Sequence, residues 1–299
     1  MVDVAIIGAG PAGLTAAIYA RRSNKSVVVF DANGYGGQIL NATEVVNYPG
    51  LKSVSGLEYS KTLYEQATSF GAEIKFEKVI DVDKNDEGIV IKTEKNEITA
   101  KSLIIATGAK SRPLGVADEE KYIGRGVSYC ATCDGHFFKE KDVCVVGGGN
   151  SALEYVLYLA NICNKVYLIH RRDEFRGEAV LVDKIKELDN VEILTNSSIS
   201  KINGDNLVQS VDVKIGDEER NIEVSGIFVA IGHMPENGNF AKLVDIDDSG
   251  YIIAGEDCKT KTPHVYVAGD NRTKYLRQLT TAVADGSVAA TYACKELDK

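Results

Sequence analysis

A short apolar run, a glycine-rich turn and a helix follow one another twice in this chain. That repeated order restricts the fold more than any other feature. Val2-Asp3-Val4-Ala5-Ile6-Ile7 reads as a strand buried on both faces. It enters Gly8-Ala9-Gly10-Pro11-Ala12-Gly13, and residues 14–20 then read as a helix. Glycines at that spacing allow a tight turn and let backbone N–H groups and the helix N-terminus approach a pyrophosphate. Residues 26–30 form the next strand, and Asp31 closes it about 20 residues on, where an acid hydrogen-bonds a ribose hydroxyl. A Gly-x-Gly-x-x-Gly alone is weak evidence; strand, helix and acid together make it a nucleotide-binding module.

The second copy begins at the strand 142–146, which runs into Gly147-Gly148-Gly149-Asn150-Ser151-Ala152 and a helix over 153–160. The strand 165–169 follows, but no acid stands at its end. The chain instead reads His170-Arg171-Arg172-Asp173-Glu174-Phe175-Arg176. A carboxylate would repel a 2′-phosphate, whereas guanidinium groups bind it through charge-assisted hydrogen bonds, so the second nucleotide is expected to be NADP rather than NAD.

Between the modules lies Cys130-Ala131-Thr132-Cys133-Asp134. Two thiols at this spacing can close a tight disulfide, and alone they fit a redox pair, half a metal site or a structural clip. A closed zinc site takes four ligands, and no second Cys-x-x-Cys or Cys/His pair accompanies this one. Flanking nucleotide modules therefore favour a dithiol that stores two electrons. The other four cysteines, Cys144, Cys163, Cys258 and Cys294, read as small buried hydrophobes.

The remaining segments organise around these features. Gly36-Gly37-Gln38 and Asn47-Tyr48-Pro49-Gly50 are turn-rich, with amides able to reach a ligand. Residues 56–70 have helical spacing, 74–82 and 88–93 read as strands, and 103–105 is a buried strand ending in Ala106-Thr107-Gly108. After the second module come a helix over 180–188, strands near 191–194, 211–213 and 226–231, and a return to the first domain. There a strand over 265–268 ends at Gly269-Asp270, and Arg277-Gln278-Leu279 leads into a helix over 281–294. Domain boundaries are expected at 112/113 and 238/239, giving segments 1–112, 113–238 and 239–299.

A net charge of −9 opposes nonspecific nucleic-acid binding, which needs cationic surface to displace counterions. No apolar run approaches the roughly 20 residues of a membrane helix, and no basic-then-apolar leader precedes the first strand. With sparse cysteines, these features lead us to expect a cytoplasmic protein that engages neither membrane nor nucleic acid.

Taken together, the motifs of both modules, the Cys-Ala-Thr-Cys-Asp-Gly stretch at 130–135, Gly269-Asp270 and Arg277-Gln278 resemble those of low-molecular-weight, bacterial-type thioredoxin reductases over essentially the full chain. The resemblance implies an α/β fold of two Rossmann-like, three-layer ββα-type domains, the NADPH domain inserted into a discontinuous FAD domain, and a homodimer. It places FAD against Gly8, Gly10, Pro11, Ala12, Gly13, Asp31, Gly36, Gly37, Gln38, Asn47, Ala106, Thr107, Gly108, Asp270, Arg277, Gln278 and Leu279. NADPH is assigned to Gly149, Asn150, Ser151, Glu154, His170, Arg171, Arg172 and Arg176. Cys133 would face the flavin, Cys130 would exchange with the disulfide of thioredoxin, and Asp134 would protonate a departing thiolate. Ferredoxin-linked reductases and dithiol oxidases share this architecture but often carry degraded NADPH motifs, which are intact here. The flavin subunit of alkyl hydroperoxide reductase carries an extra N-terminal region, and a flavoprotein that senses redox state without turnover would not need both cysteines. Two positions depart from the pattern: His136 stands where an aromatic is common, and Tyr155 where a second acid follows the position of Glu154.

Overall fold

The computed structural model describes every residue of the chain except Thr43. The chain forms two compact units: Met1–Lys110 together with Met234–Lys299, and Ser111–His233.

In chain order the first unit contributes β1 (Val2–Ile7), α1 (Pro11–Arg22), β2 (Val27–Phe30), α2 (Gly56–Ser69) and β3 (Glu73–Lys75). It continues with β4 (Val79–Asn85), β5 (Gly88–Thr93) and β6 (Glu97–Ile105), and β7 (Lys110–Ser111) lies where the chain leaves it. The second unit holds β8 (Val127–Ser128), α3 (Ala131–Asp134), β9 (Asp142–Gly147), α4 (Asn150–Ala160), β10 (Lys165–Ile169) and α5 (Ala179–Lys186). Next come β11 (Val191–Leu194), β12 (Ser197–Asn203), β13 (Ser210–Ile215), β14 (Glu218–Glu223) and β15 (Gly226–Ala230). After β16 (His233–Met234), the chain completes the first unit with β17 (Val265–Val267) and α6 (Leu279–Leu297).

The first unit is built on the sheet β3-β2-β1-β6-β5-β4. Its centre is parallel, with Val4 opposite Val27 and Ser102, and Ile6 opposite Val29 and Ile104. Strand β6 is long enough to serve two neighbours. Its first half pairs antiparallel with β5, and residues 103–105 pair parallel with β17. Because side chains alternate along a strand, Val4 and Ile6 face α1 and α6, in a core with Leu14, Ala17, Ala289 and Ala293. Ala5 and Ile7 face the opposite core, with Phe30, Ile91, Phe240 and Leu243. Burial on both faces explains why β1 reads as an uninterrupted apolar run.

The second unit repeats the plan on the sheet β11-β10-β9-β15-β8, all of it parallel. On one face, Val143 and Val145 meet Leu153, Val156 and Leu159 of α4. On the other, Cys144 and Val146 pack with Ile199, Val211, Val213 and Ile222 of the antiparallel sheet β12-β13-β14. Sheet, sheet and helix are thus stacked in three layers, as expected of a ββα nucleotide-binding domain. The stretch read as one strand over 74–82 is divided into β3 and β4. The chain leaves one ladder for another there: β3 pairs parallel with β2 at one end of the sheet order, and β4 pairs antiparallel with β5 at the other.

Candidate functional site

In the first unit the glycine turn sits where β1 meets α1. Gly8 has φ of 109°, and a Cβ there would lie 2.2 Å from the Ala106 carbonyl oxygen, so only glycine fits. That close approach joins the 8–13 turn to the Ala106-Thr107-Gly108 turn. Pro11 occupies the first helical position, and Gly10 caps α1 without a side-chain hydrogen bond. The open first-turn N–H groups and the positive end of the helix dipole form an anion site. The Gly36 N–H donates to the Ala9 carbonyl at 2.8 Å, which draws the 36–38 loop onto the same turn.

Asp31 stands at the end of β2 but does part of its work on the protein. One carboxylate oxygen accepts the Ala9 N–H at 2.8 Å, the other the Asn33 N–H at 2.8 Å. A carboxylate has about four acceptor sites, so two backbone bonds leave room for a ribose hydroxyl.

Asp270 follows Gly269 at the end of β17. Its Oδ1 is buried and lacks a hydrogen-bond partner within the protein. Burial pushes its carboxyl up, against the downward pull of Lys274 and Arg277. A buried acceptor left unsatisfied costs roughly 1–3 kcal/mol unless a ligand supplies a donor, and a polyol chain does so. Beside it, Arg277 lays its guanidinium 4.0 Å from the centre of the Tyr251 ring and donates to the Asp270 carbonyl at 3.3 Å. Asn47 donates to the Gln278 side chain at 3.2 Å, bringing together two expected site residues 231 positions apart in sequence. Gln278 caps α6 in a reciprocal box with Thr281, so Leu279 opens that helix instead of lying in the preceding loop.

Five residues missed in the sequence hold this arrangement. Asn271 donates to Thr107 Oγ1 at 3.0 Å, and Asn237 donates to the Asn271 carbonyl at 2.9 Å. Arg272 grips Asp285 of α6 with two bonds of 2.8 Å, both side chains almost wholly buried. Lys274 adds a third bond of 2.8 Å, and the Gly269 N–H donates to Asp285 Oδ2 at 2.9 Å. Burial opposes the charge on Asp285, but its hydrogen bonds with Arg272 and Lys274 hold the carboxyl below its ordinary value. One carboxylate in an alanine-rich helix was the only sequence signal for this anchor.

In the second unit Cys130 and Cys133 form a disulfide, with sulfurs 2.06 Å apart. Cys130 caps the single turn of α3, and its carbonyl accepts the N–H groups of Cys133 and Asp134 at 3.3 and 3.1 Å. Asp134 is largely withdrawn from solvent, and burial pushes its carboxyl up. A hydrogen bond with Ser128 and the nearby His136 act in the opposite direction. Ser128 lies 2.6 Å from Asp134 Oδ2. Tyr155 points from α4 toward the segment that carries the dithiol, donating to the Tyr129 carbonyl at 3.1 Å. That places the departing residue at the dithiol's backbone. The four remaining cysteines are buried, and burial pushes Cys163 up to about 11 and Cys258 up to about 12. Thiols so shifted are poor nucleophiles at neutral pH.

The second glycine turn leads from β9 into α4, whose cap Gly149 has no side-chain bond. A Cβ on Gly148 would fall 2.2 Å from the His170 ring, so His170 forms the wall beneath the turn. Its ring also lies 3.0 Å from the Glu174 carbonyl and stacks on Phe175. Beyond it, the chain curls back so that the N–H groups of Arg176 and Gly177 donate to the Gly148 carbonyl at 2.7 and 3.1 Å. Arg171, Arg172 and Arg176 are exposed, and among the described residues none is paired with a carboxylate. Asn150 is engaged with Glu178, while Ser151 and Glu154 lie exposed on the first turns of α4.

The family described as pyridine nucleotide-disulphide oxidoreductase matches residues 2–286. The chain belongs to this family. Among curated proteins, it is 43% identical to a thioredoxin reductase of Peptoclostridium acidaminophilum, covering 99% of this chain and 97% of that one. A thioredoxin reductase of Bacillus subtilis (strain 168) is 41% identical, with 96% and 92% covered. Among solved structures, thioredoxin reductase from Streptococcus pyogenes MGAS5005 superposes with a TM-score of 0.95 at 40% identity, covering 100% of this chain and 98% of that one. A pyridine nucleotide-disulphide oxidoreductase moves two electrons between a nicotinamide and a disulfide, and the Cys130–Cys133 pair is the disulfide that fits that role. Among the described residues no helix is long and apolar enough to cross a membrane.

Proposed function

We propose that this family member is a thioredoxin-disulfide reductase, carrying two electrons from NADPH through FAD and the Cys130–Cys133 pair to the disulfide of thioredoxin. The carrying observation is that disulfide, closed immediately before a half-buried acid. Relatives named thioredoxin reductase that are 40–43% identical over nearly the whole chain supply the acceptor. In this reading the protein is a cytoplasmic homodimer. Residues 1–112 and 239–299 form the FAD domain, and 113–238 form the NADPH domain.

The first unit suits FAD. Its open helix terminus fits a pyrophosphate, and the orphaned Asp270 Oδ1 fits a hydroxyl of the ribityl chain. Asp31 retains capacity for the ribose, and Asn47, Gln278 and Arg277 would border the ring system. When bound there, FAD supplies hydride acceptance from NADPH and two-electron reduction of a disulfide, which a disulfide achieves poorly with a nicotinamide alone.

The chain's own residues manage sulfur and proton. Cys133 Sγ receives the electron pair as the S–S bond breaks, and Cys130 departs as a thiolate. Asp134, whose carboxyl burial pushes upward, holds a proton that it delivers to the departing thiolate. Cys130 returns that proton to the Asp134 carboxylate and, as a thiolate, attacks one sulfur of the thioredoxin disulfide, whose leaving thiolate takes the proton from Asp134. Cys133 then displaces the reduced product and restores the Cys130–Cys133 bond. Two electrons enter and two leave per cycle.

Arg171, Arg172 and Arg176 would hold the 2′-phosphate of NADPH. Removal of a charge-assisted pair of this kind costs about 1.5–3 kcal/mol, roughly 10–100-fold in affinity. Arg171→Ala and Arg172→Ala are therefore expected to raise the KM for NADPH at least about tenfold while leaving that for NADH nearly unchanged. Steady-state kinetics with both nucleotides decides it; equal effects on the two would remove the 2′-phosphate assignment. The function itself is tested by NADPH-dependent reduction of thioredoxin disulfide by the purified flavoprotein, and an absence of turnover would refute it.

A further inference from the structure

Ser128 holds a position that the proposed chemistry does not yet use. It ends β8, where its backbone pairs with Phe228 of β15, so its side chain projects from a rigid element. Three polar groups converge on its buried hydroxyl. Asp134 Oδ2 lies at 2.6 Å, the Cys130 N–H at 3.1 Å and the Cys130 carbonyl oxygen at 3.3 Å. The N–H donates and occupies one lone pair of Ser128 Oγ. Two acceptors remain for one hydroxyl hydrogen, and both cannot have it at once.

We infer that Ser128 is the positioning residue of the proton step, a hydroxyl rotor that satisfies Asp134 in both of its protonation states and reports the change to Cys130. The inference rests on the reading of Asp134 as the proton donor. With Asp134 ionised, the hydroxyl donates to its carboxylate, and 2.6 Å is the length of a charge-assisted O–H···O⁻ bond. When Asp134 gains a proton, its own O–H donates to Ser128 Oγ. The serine hydrogen then turns to the Cys130 carbonyl, which it shares with the N–H groups of Cys133 and Asp134. Each state keeps its donors and acceptors paired, so a half-buried acid can give and take a proton without stranding a polar group.

The other titratable groups facing Asp134 are few. His136 follows it in the next turn, Tyr155 faces it from α4 with Glu154 adjacent, and the dithiol itself precedes it. The direct hydrogen bond to the Asp134 carboxylate comes from Ser128, which does not itself titrate.

The test is carboxyl-13C aspartate NMR of the oxidised holoenzyme across pH, with the Asp134 signal assigned by its loss in Asp134→Asn. Ser128→Ala removes the donor that favours the ionised form, so the Asp134 midpoint should move upward by about one pH unit. Ser128→Thr, which keeps the hydroxyl, should restore it. The alkaline limb of single-turnover dithiol exchange should follow the same shifts, whereas a merely structural serine would lower the rate equally at every pH. An unmoved midpoint in Ser128→Ala overturns the inference. A readout on the unmutated protein needs no variant to fold: the Cys130 carbonyl 13C shift should titrate with the Asp134 midpoint, and a flat response there also overturns it. If Asp134→Asn leaves the alkaline limb in place, the proton-donor reading itself fails. If it abolishes the limb while Ser128→Ala leaves it unmoved, only the role of Ser128 fails.

Discussion

Cys130→Ser and Cys133→Ser are each expected to lower NADPH-driven reduction of thioredoxin by about a thousandfold or more, while both variants stay yellow and still bleach with NADPH. The size follows from the relay. The two sulfurs act as a unit, and loss of one member of such a unit removes most of what the unit contributes. A serine hydroxyl can neither form the disulfide nor serve as a thiolate nucleophile near neutral pH. The variants should differ in what they accumulate. With Cys133→Ser, the remaining Cys130 can attack thioredoxin, but nothing resolves the product, so a covalent mixed disulfide should build up. Cys130→Ser should trap far less, because the remaining thiol is the one assigned to the flavin. Non-reducing electrophoresis and mass spectrometry read this directly. Trapping by Cys130→Ser and not by Cys133→Ser would reverse the assignment of the two thiols.

Asp285→Asn carries the largest expected effect on stability. Its carboxylate neutralises Arg272 and Lys274, whose side chains are only 2% and 5% exposed. An asparagine of the same shape removes the buried counter-charge that both cations share, leaving Arg272 only the exposed Glu256 carboxylate at 3.6 Å. Breaking a buried ion pair in this way costs about 3–5 kcal/mol. The damage should reach the site proposed for the flavin, because Asp285 Oδ2 also fixes the Gly269 N–H next to Asp270. A lower melting temperature with easier loss of flavin is therefore expected at neutral pH. The pH dependence has a definite sign. The Asp285 carboxyl lies below its ordinary value of 3.8 in the folded protein. Its stabilisation is therefore fully present above 3.8 and is lost as pH falls through the lower folded value. The gap between wild type and Asp285→Asn should stay constant from neutral pH down to about 3.8 and narrow only below it. Equal melting curves at neutral pH would contradict the account.

What could be read from the sequence was what local pattern encodes. The turns at 8–13 and 147–152 announced themselves because glycine spacing, a preceding apolar strand and a following helix are one continuous signal. The dithiol was legible for the same reason. Long-range polar anchors were not. Arg272 and Asp285 are separated by 13 residues across a loop and a helix start, and neither position has a periodic neighbour to point to the other. Asn47 and Gln278 meet across 231 residues. Strand β14 escaped because it is an edge strand reading Glu-Glu-Arg-Asn-Ile-Glu, with Ile222 its one buried side chain. Tyr155 departs from the family pattern beside Glu154, which the resemblance assigns to the nucleotide. Helix geometry instead turns it toward Tyr129 and the dithiol, since adjacent helix positions point in directions about 100° apart.

The relay from NADPH through flavin and dithiol to a protein disulfide is tested most directly by one anaerobic titration. NADPH is added to the yellow protein in stoichiometric steps, followed by oxidised thioredoxin, while flavin absorbance is recorded. The account predicts that NADPH bleaches the flavin, that NADH does so only at far higher concentration, and that thioredoxin disulfide restores the colour. A flavin that NADPH leaves yellow, or a bleached flavin that thioredoxin disulfide cannot reoxidise, would contradict it.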